Sequence, residues 1–195
     1  MKLRLEPATL DDAPAIAALH AAVAERLTQE FGRGHWSNGA SERAVLLAFR
    51  RSRVLVARQR SRVIATLILS TRKPWAIDRS CFGACVRPLY LTNMAVAPDR
   101  QRRGLGRQCV EEARRVAREW PSDAIRLDAY DAAAGAGGFY AKCGFREVGR
   151  ATYRGVPLIY FELPIEPALS GVAPPSRRTS SPARPKPRRR SAPNA

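Results

Sequence analysis

The chain has 195 residues, enough for one domain with a proper hydrophobic core plus an appendage. Its 34 Lys and Arg against 17 Asp and Glu give a net charge of +17, a sign that suits a polyanionic ligand without separating a small phosphate-bearing molecule from nucleic acid. Cys81, Cys85, Cys109, Cys143 and two histidines lack zinc-ligand spacing, so no metal centre is expected, and reduced thiols in a cytoplasmic, non-membrane protein are the default.

Residues 3–5 (Leu-Arg-Leu) alternate as a first strand, and residues 9–12 carry the caps of a helix reaching to about residue 30. The Ala-rich run at 13–24 follows Asp11 and Asp12 and is interrupted by Pro14 and His20, as in an amphipathic helix rather than a targeting segment. Residues 32–39 read as a loop, and a shorter helix spans 41–50 with Ser41 as its cap. Runs at 54–58 and 63–70 form a hairpin across Gln59-Arg60-Ser61-Arg62. A long connection, 71–88, leads to a strand at 89–97, a helix at 105–120, a strand at 125–130, a short Gly-rich helix, and closing strands near 146–152 and 158–163. Leu105, Cys109, Ala113, Val116 and Trp120 recur at helical spacing and should face the sheet, whereas Arg114, Arg115 and Arg118 should be solvated.

Composition changes at residue 167. Residues 167–195 are rich in Pro, Ser, Arg and Ala, contain no acid and hold seven of the 34 basic residues. Such a stretch cannot bury enough apolar surface to offset its ordering entropy, so a disordered basic tail is expected beyond a domain at 1–166. The preceding body, with 27 basic against 17 acidic side chains, still carries +10.

The most informative segment is Gln101-Arg102-Arg103-Gly104-Leu105-Gly106, between a strand ending in Val96-Ala97-Pro98 and the start of a helix. A helix start leaves backbone N–H groups unpaired and carries partial positive charge. Gly104 and Gly106 bare those donors, and Arg100, Arg102, Arg103 and Arg107 add full charges. This is a pyrophosphate site. It is not a Walker loop, since no Lys-Ser or Lys-Thr occurs, nor a Rossmann fingerprint, since Cys109 stands where the third glycine would be.

Gln-x-x-Gly-x-Gly after Val-x-Pro resembles the acetyl-CoA loop of the GCN5-related N-acetyltransferase (GNAT) superfamily. A later segment, Phe139-Tyr140-Ala141-Lys142-Cys143-Gly144-Phe145 after the strand at 125–130, resembles that superfamily's second motif. The resemblance covers residues 2–165. It implies an α/β (α+β) fold: a central, mixed, twisted sheet of about seven strands with helices on both faces. The expected order is one strand, two helices, three strands, helix, strand, helix, two strands.

The resemblance also implies roles. Acetyl-CoA would be the co-substrate, with no metal. The backbone of Met94, Ala95 and Val96, beside a bulge near residues 93–95, would hold the pantetheine and acetyl end between two splayed strands. Gln101, Arg102, Arg103, Gly104, Leu105, Gly106 and Arg107 would hold the pyrophosphate. Tyr140 would protonate the departing thiolate, a sensible role for a phenol that keeps its proton at neutral pH. It also reads as a buried aromatic. The base stays open among Asp128, Asp131 and His35, because the bulge carries Asn93, which takes no proton. Asp131 also reads as a cap of the Gly-rich helix, and His35 as a loop residue. Phe31, Trp36, Trp75, Asp78, Phe82 and Tyr90, with His35, lie in the segments that would meet the acceptor, and they suggest an aromatic wall with one acid. Ala133 departs from the pattern, where many relatives carry Asn.

The expected activity is acetyl transfer to a primary amine of a small molecule or protein by direct attack in a ternary complex, in a monomer or homodimer. A nucleic-acid-binding or aminoacyl-RNA-directed protein acting through the basic tail is the alternative. It is not favoured, since no RNA-recognition motif or interleaved aromatics accompany the tail. A non-catalytic acetyl-CoA sensor is a third reading, against which Tyr140 weighs.

Overall fold

A computed structural model describes residues 4–166, so the expected tail lies outside the described residues. The elements are β1 (Glu6–Pro7), α1 (Ala13–Phe31), α2 (Glu42–Phe49), β2 (Arg53–Gln59), β3 (Arg62–Ser70), β4 (Pro88–Val96), α3 (Leu105–Glu119), β5 (Ala124–Tyr130), α4 (Gly137–Lys142), β6 (Arg146–Tyr153) and β7 (Val156–Pro164). Their order is the expected one.

Local chemistry explains the boundaries. Before α1 the Thr9 amide donates to Asp12 Oδ2 at 2.7 Å, and Pro14 occupies the first turn, where no backbone donor is needed. Ser41 Oγ caps α2 by accepting from the Ala44 amide at 3.3 Å. The first strand corrects the expectation at 3–5: it comprises Glu6 and Pro7, paired with Val56 and Leu55. Pro7 has no N–H to extend the ladder, which confines this strand to the sheet edge, and Leu5 turns into the core instead.

The seven strands form one sheet in the order β1-β2-β3-β4-β5-β7-β6, antiparallel except for the parallel β4–β5 pair. Residues 63–70 of β3 are buried without alternation, so both faces of the sheet centre are covered. Ile16 and Leu19 of α1 join the core, as do Leu105, Cys109, Val110, Ala113, Val116 and Ala117 of α3. A second, smaller core forms where the connection between β3 and β4 lays Ile77 and Phe82 over Tyr90, Leu158 and Tyr160.

Two irregularities shape the middle of the sheet. Thr66 pairs with Ala95 but Ile68 pairs with Thr92, so Leu67 faces two residues of β4, and Asn93 within this bulge has φ 49°. An extra residue of this kind bends and twists its strand. On its other side β4 meets β5 only at Pro88–Ala124, Leu89–Ile125 and Tyr90–Arg126. Beyond that point β5 follows β7 all the way to Tyr130 while β4 stays with β3, and the two parallel strands part.

Candidate active site

The parted strands lead into the loop that the sequence marks as an anion site. A 3-10 turn at Pro98–Arg100 follows β4, and α3 then starts at Leu105. Gly104 sits at φ 78°, ψ 0°, the left-handed region that glycine enters without a Cβ penalty, and Arg102 also has positive φ at 57°. The first rung of α3 is the Gln108 amide on Gly104 O at 3.1 Å, so the amides of Leu105, Gly106 and Arg107 precede the helical ladder. The loop is anchored at both ends. Gln101 Nε2 donates to Val96 O at 3.0 Å, and Arg62 donates to both Asp99 oxygens at 2.9 and 3.0 Å. Gln101 therefore holds the loop to β4 through its side chain.

The α3 arginines divide their work. Arg102 is exposed, 4.0 Å from Glu30. Arg107 Nη2 donates to Lys142 O at 3.3 Å, and Arg114 Nη2 donates to Cys143 O at 2.7 Å. The expected solvation of Arg114 is corrected here: it is half-buried and satisfies a carbonyl at the end of α4, where no intrahelical donor remains. These two bonds fix α4, and with it Tyr140, to the helix that opens at the anion loop.

Tyr140 is buried among Phe139, Phe145 and Phe161, with ring centroids 5.2, 5.4 and 6.0 Å away. Burial, then the charge of Asp128, holds its phenol proton well above the usual range. Residues 131–136 reach α4 by a tight turn, in which a Cβ on Gly135 would lie 1.9 Å from Tyr130 O.

The three base candidates are not equivalent. Asp131 Oδ2 is 2.7 Å from Arg150 Nη1, so it is an ion-pair partner and not the cap of α4, whose N-cap is Ala136. His35 is exposed in a 3-10 turn, and its carbonyl accepts from Tyr130 Oη at 3.4 Å. Asp128 is part-buried on β5, and burial raises its carboxyl pKa above the ordinary value.

The six expected acceptor residues do not form one wall. Trp36 meets Tyr130 edge-on at 6.2 Å, and Phe31 is partly exposed on the last turn of α1. Trp75 projects outward, 89% exposed. Asp78 caps a turn, accepting from the Ser80 amide and hydroxyl at 2.9 and 2.8 Å. Phe82 and Tyr90 are buried in the second core, because the connection folds down onto the sheet there.

Sequence reasoning missed the clamp that holds this connection. Arg126 Nε lies 2.8 Å from Glu162 Oε1, Arg126 Nη2 donates to Gly83 O at 2.7 Å, and its guanidinium stacks 4.6 Å from the Phe82 ring centre. Tyr160 Oη also donates to Ala76 O at 2.6 Å. The available signal was one basic and one acidic residue, each inside an otherwise apolar strand, since buried charges occur in pairs.

A family model described as an acetyltransferase (GNAT) domain matches residues 50–147, and the chain belongs to that family. No curated protein matches it by sequence. Among solved structures, the ribosomal-protein-S18-alanine N-acetyltransferase from Escherichia coli is 20% identical with a TM-score of 0.64, the alignment covering 88% of this chain and 99% of that one. The ribosomal-protein-alanine N-acetyltransferase from Brucella melitensis is 20% identical with a TM-score of 0.59, covering 83% and 99%. The PaiA N-acetyltransferase from Thermoplasma acidophilum, in complex with coenzyme A, is 14% identical with a TM-score of 0.60, covering 82% and 98%. These likenesses establish a shared fold. Among the described residues no helix is long and apolar enough to cross a membrane. None of their His, Cys, Asp and Glu side chains gather in a group that could hold a metal ion.

Proposed function

We propose that the chain transfers an acetyl group from acetyl-CoA to a primary amine of a small molecule or protein, by direct attack in a ternary complex. The observation that carries this reading is the continuity of the parted β4–β5 seam with the amide-lined start of α3. A pyrophosphate fits the amides at 102–107, with Arg100, Arg102 and Arg103 supplying charge. A pantetheine arm carries amides of its own, and the edge of β4 past Tyr90, including Met94, Ala95 and Val96, offers backbone groups with no strand beside them among the described residues. The bound thioester supplies an activated acetyl carbonyl.

The residues of the chain do the rest. Backbone groups at the bulge orient the carbonyl, and the apolar packing around Tyr140 excludes water. Tyr140 keeps its proton until a stronger base, the departing sulfur, comes within hydrogen-bond reach.

Calorimetry with acetyl-CoA and a mass-spectrometric screen of amines and peptides test the proposal. Tyr140→Phe should lower turnover by roughly 100-fold while leaving acetyl-CoA affinity intact. Absence of acetyl-CoA binding in the folded full chain would sink the proposal. Salt-sensitive RNA binding that disappears on deletion of residues 167–195, without acetyl transfer, would favour the nucleic-acid reading.

A further inference from the structure

The acetyltransferase reading leaves one proton without an acceptor, and the geometry bears on where it goes. An amine reaches the site as an ammonium ion and must lose a proton before its nitrogen can attack. Asp128 lies two residues past the last β4–β5 pair, on the strand that borders the seam, so no residue of β4 pairs with it. Continuing the parallel register would set it against Thr92, immediately before the bulge. By strand alternation it shares a face with Arg126 and Tyr130. Tyr130 meets Trp36 and the His35 carbonyl on that face, so Asp128 looks toward the loop that follows α1.

The groups around Asp128 leave its charge uncompensated. On its own strand, Arg126 is committed to Glu162 and Gly83 O. On β7, Tyr160 pairs with it in register and donates its hydroxyl to Ala76 O. Tyr90 of β4 belongs to the second core, and Tyr130, Tyr140 and Tyr160 all feel the negative charge of Asp128. Among the described residues no Lys or Arg forms an ion pair with it, whereas Asp131 is tied to Arg150 and His35 stands in solvent. We infer that Asp128 is the general base, taking the first proton from a protonated primary amine that enters on the Trp36–Tyr130 side of the sheet. This rests on the acetyltransferase reading above.

The step balances. The ammonium gives one proton to the Asp128 carboxylate. Its nitrogen then bonds to the acetyl carbon as the carbon–sulfur bond breaks. Tyr140 protonates the sulfur and is restored by the second nitrogen proton. Asp128 releases its proton to water, so one proton leaves per amide formed. Because the carboxylate must be ionised, activity is lost as pH falls through its raised pKa.

The test is a pH profile of kcat/KM with the full chain and an amine identified by the screen. In Asp128→Asn, kcat/KM at neutral pH should fall about 100-fold. The acidic limb should move up toward the pKa of the amine, activity should recover where the amine is already neutral, and acetyl-CoA affinity by calorimetry should not change. Asp128→Glu keeps the carboxylate. It should retain the limb with a lower kcat, and it serves if the Asn variant is unfolded by circular dichroism. An unchanged profile in Asp128→Asn, or a limb lost in Asp131→Asn instead, overturns the assignment while leaving acetyl transfer standing. A wild-type chain that acetylates no amine overturns both.

Discussion

Gly106, in the first turn of α3, faces the ring of Phe139 on α4 so closely that a Cβ there would lie 3.1 Å from Cε2 and Cζ. The glycine thus serves two purposes: it clears the amides at the helix start, and it lets α4 approach. In Gly106→Ala either the ring or the helix start must give by a few tenths of an ångström. Acetyl-CoA affinity should fall at least tenfold, with a melting temperature lower by only a few degrees. Gly104→Ala differs, since a Cβ there meets nothing within 4 Å while φ is 78°. Its cost should be the left-handed strain of about 1–2 kcal/mol, read by urea titration.

The Arg126–Glu162 pair predicts asymmetric mutational effects. Both side chains are nearly sealed, 4% and 8% exposed, and Arg146 Nη2 approaches Glu162 Oε2 at 3.4 Å from outside. Arg126→Met alone leaves a buried carboxylate and should destabilise by about 3–5 kcal/mol. The double variant Arg126→Met/Glu162→Leu should recover most of that loss in denaturant titrations. It should not restore the bond to Gly83 O, so proteolysis in the connection between β3 and β4 should remain faster than in the wild type.

Thiol chemistry should divide the cysteines into two pairs. Cys109 is fully buried on α3, and desolvation foremost pushes its thiol up to about 12. Cys143 is also buried, while Cys81 and Cys85 are partly exposed. An aromatic disulfide reagent at pH 8 should modify Cys81 and Cys85 within minutes. Cys109 and Cys143 should react only after denaturation.

A pH effect on stability should come from the N-terminal edge of the sheet. Burial pushes the Asp12 carboxyl up, and the Arg58 hydrogen bond, aided by the Thr9 amide, outweighs it, so the net displacement is below its ordinary 3.8. A depressed carboxyl contributes stability above its unfolded pKa and loses it as pH falls through the folded value. Arg58→Met should therefore lower stability at neutral pH, by about 1 kcal/mol or less given partial exposure. The difference from wild type should shrink below roughly pH 4 in urea titrations.

The glycine pattern at 101–106, the helical stripe through Cys109 and the alternation at 125–130 made the element order and the phosphate turn legible from sequence. These are local signals with fixed spacing. The partition of the aromatics was not legible. Whether Phe82 lines a wall or fills a core depends on how residues 71–87 fold back over Tyr160, a contact between distant parts of the chain. Arg114 was missed for the same reason: its partner, Cys143 O, is a backbone atom of another helix. Separating Asp131 from Asp128 required the β6 neighbour Arg150, which no spacing within 128–131 reveals.

The seam between β4 and β5 has one more consequence. Only Pro88–Tyr90 and Ala124–Arg126 stitch the two halves of the sheet together through backbone hydrogen bonds. A molecule lying across the open stretch acts as a rivet, adding cohesion in proportion to its concentration over its dissociation constant. The protein thus leaves part of its own mechanical integrity to its cargo, and its resistance to heat becomes a gauge of how full it is.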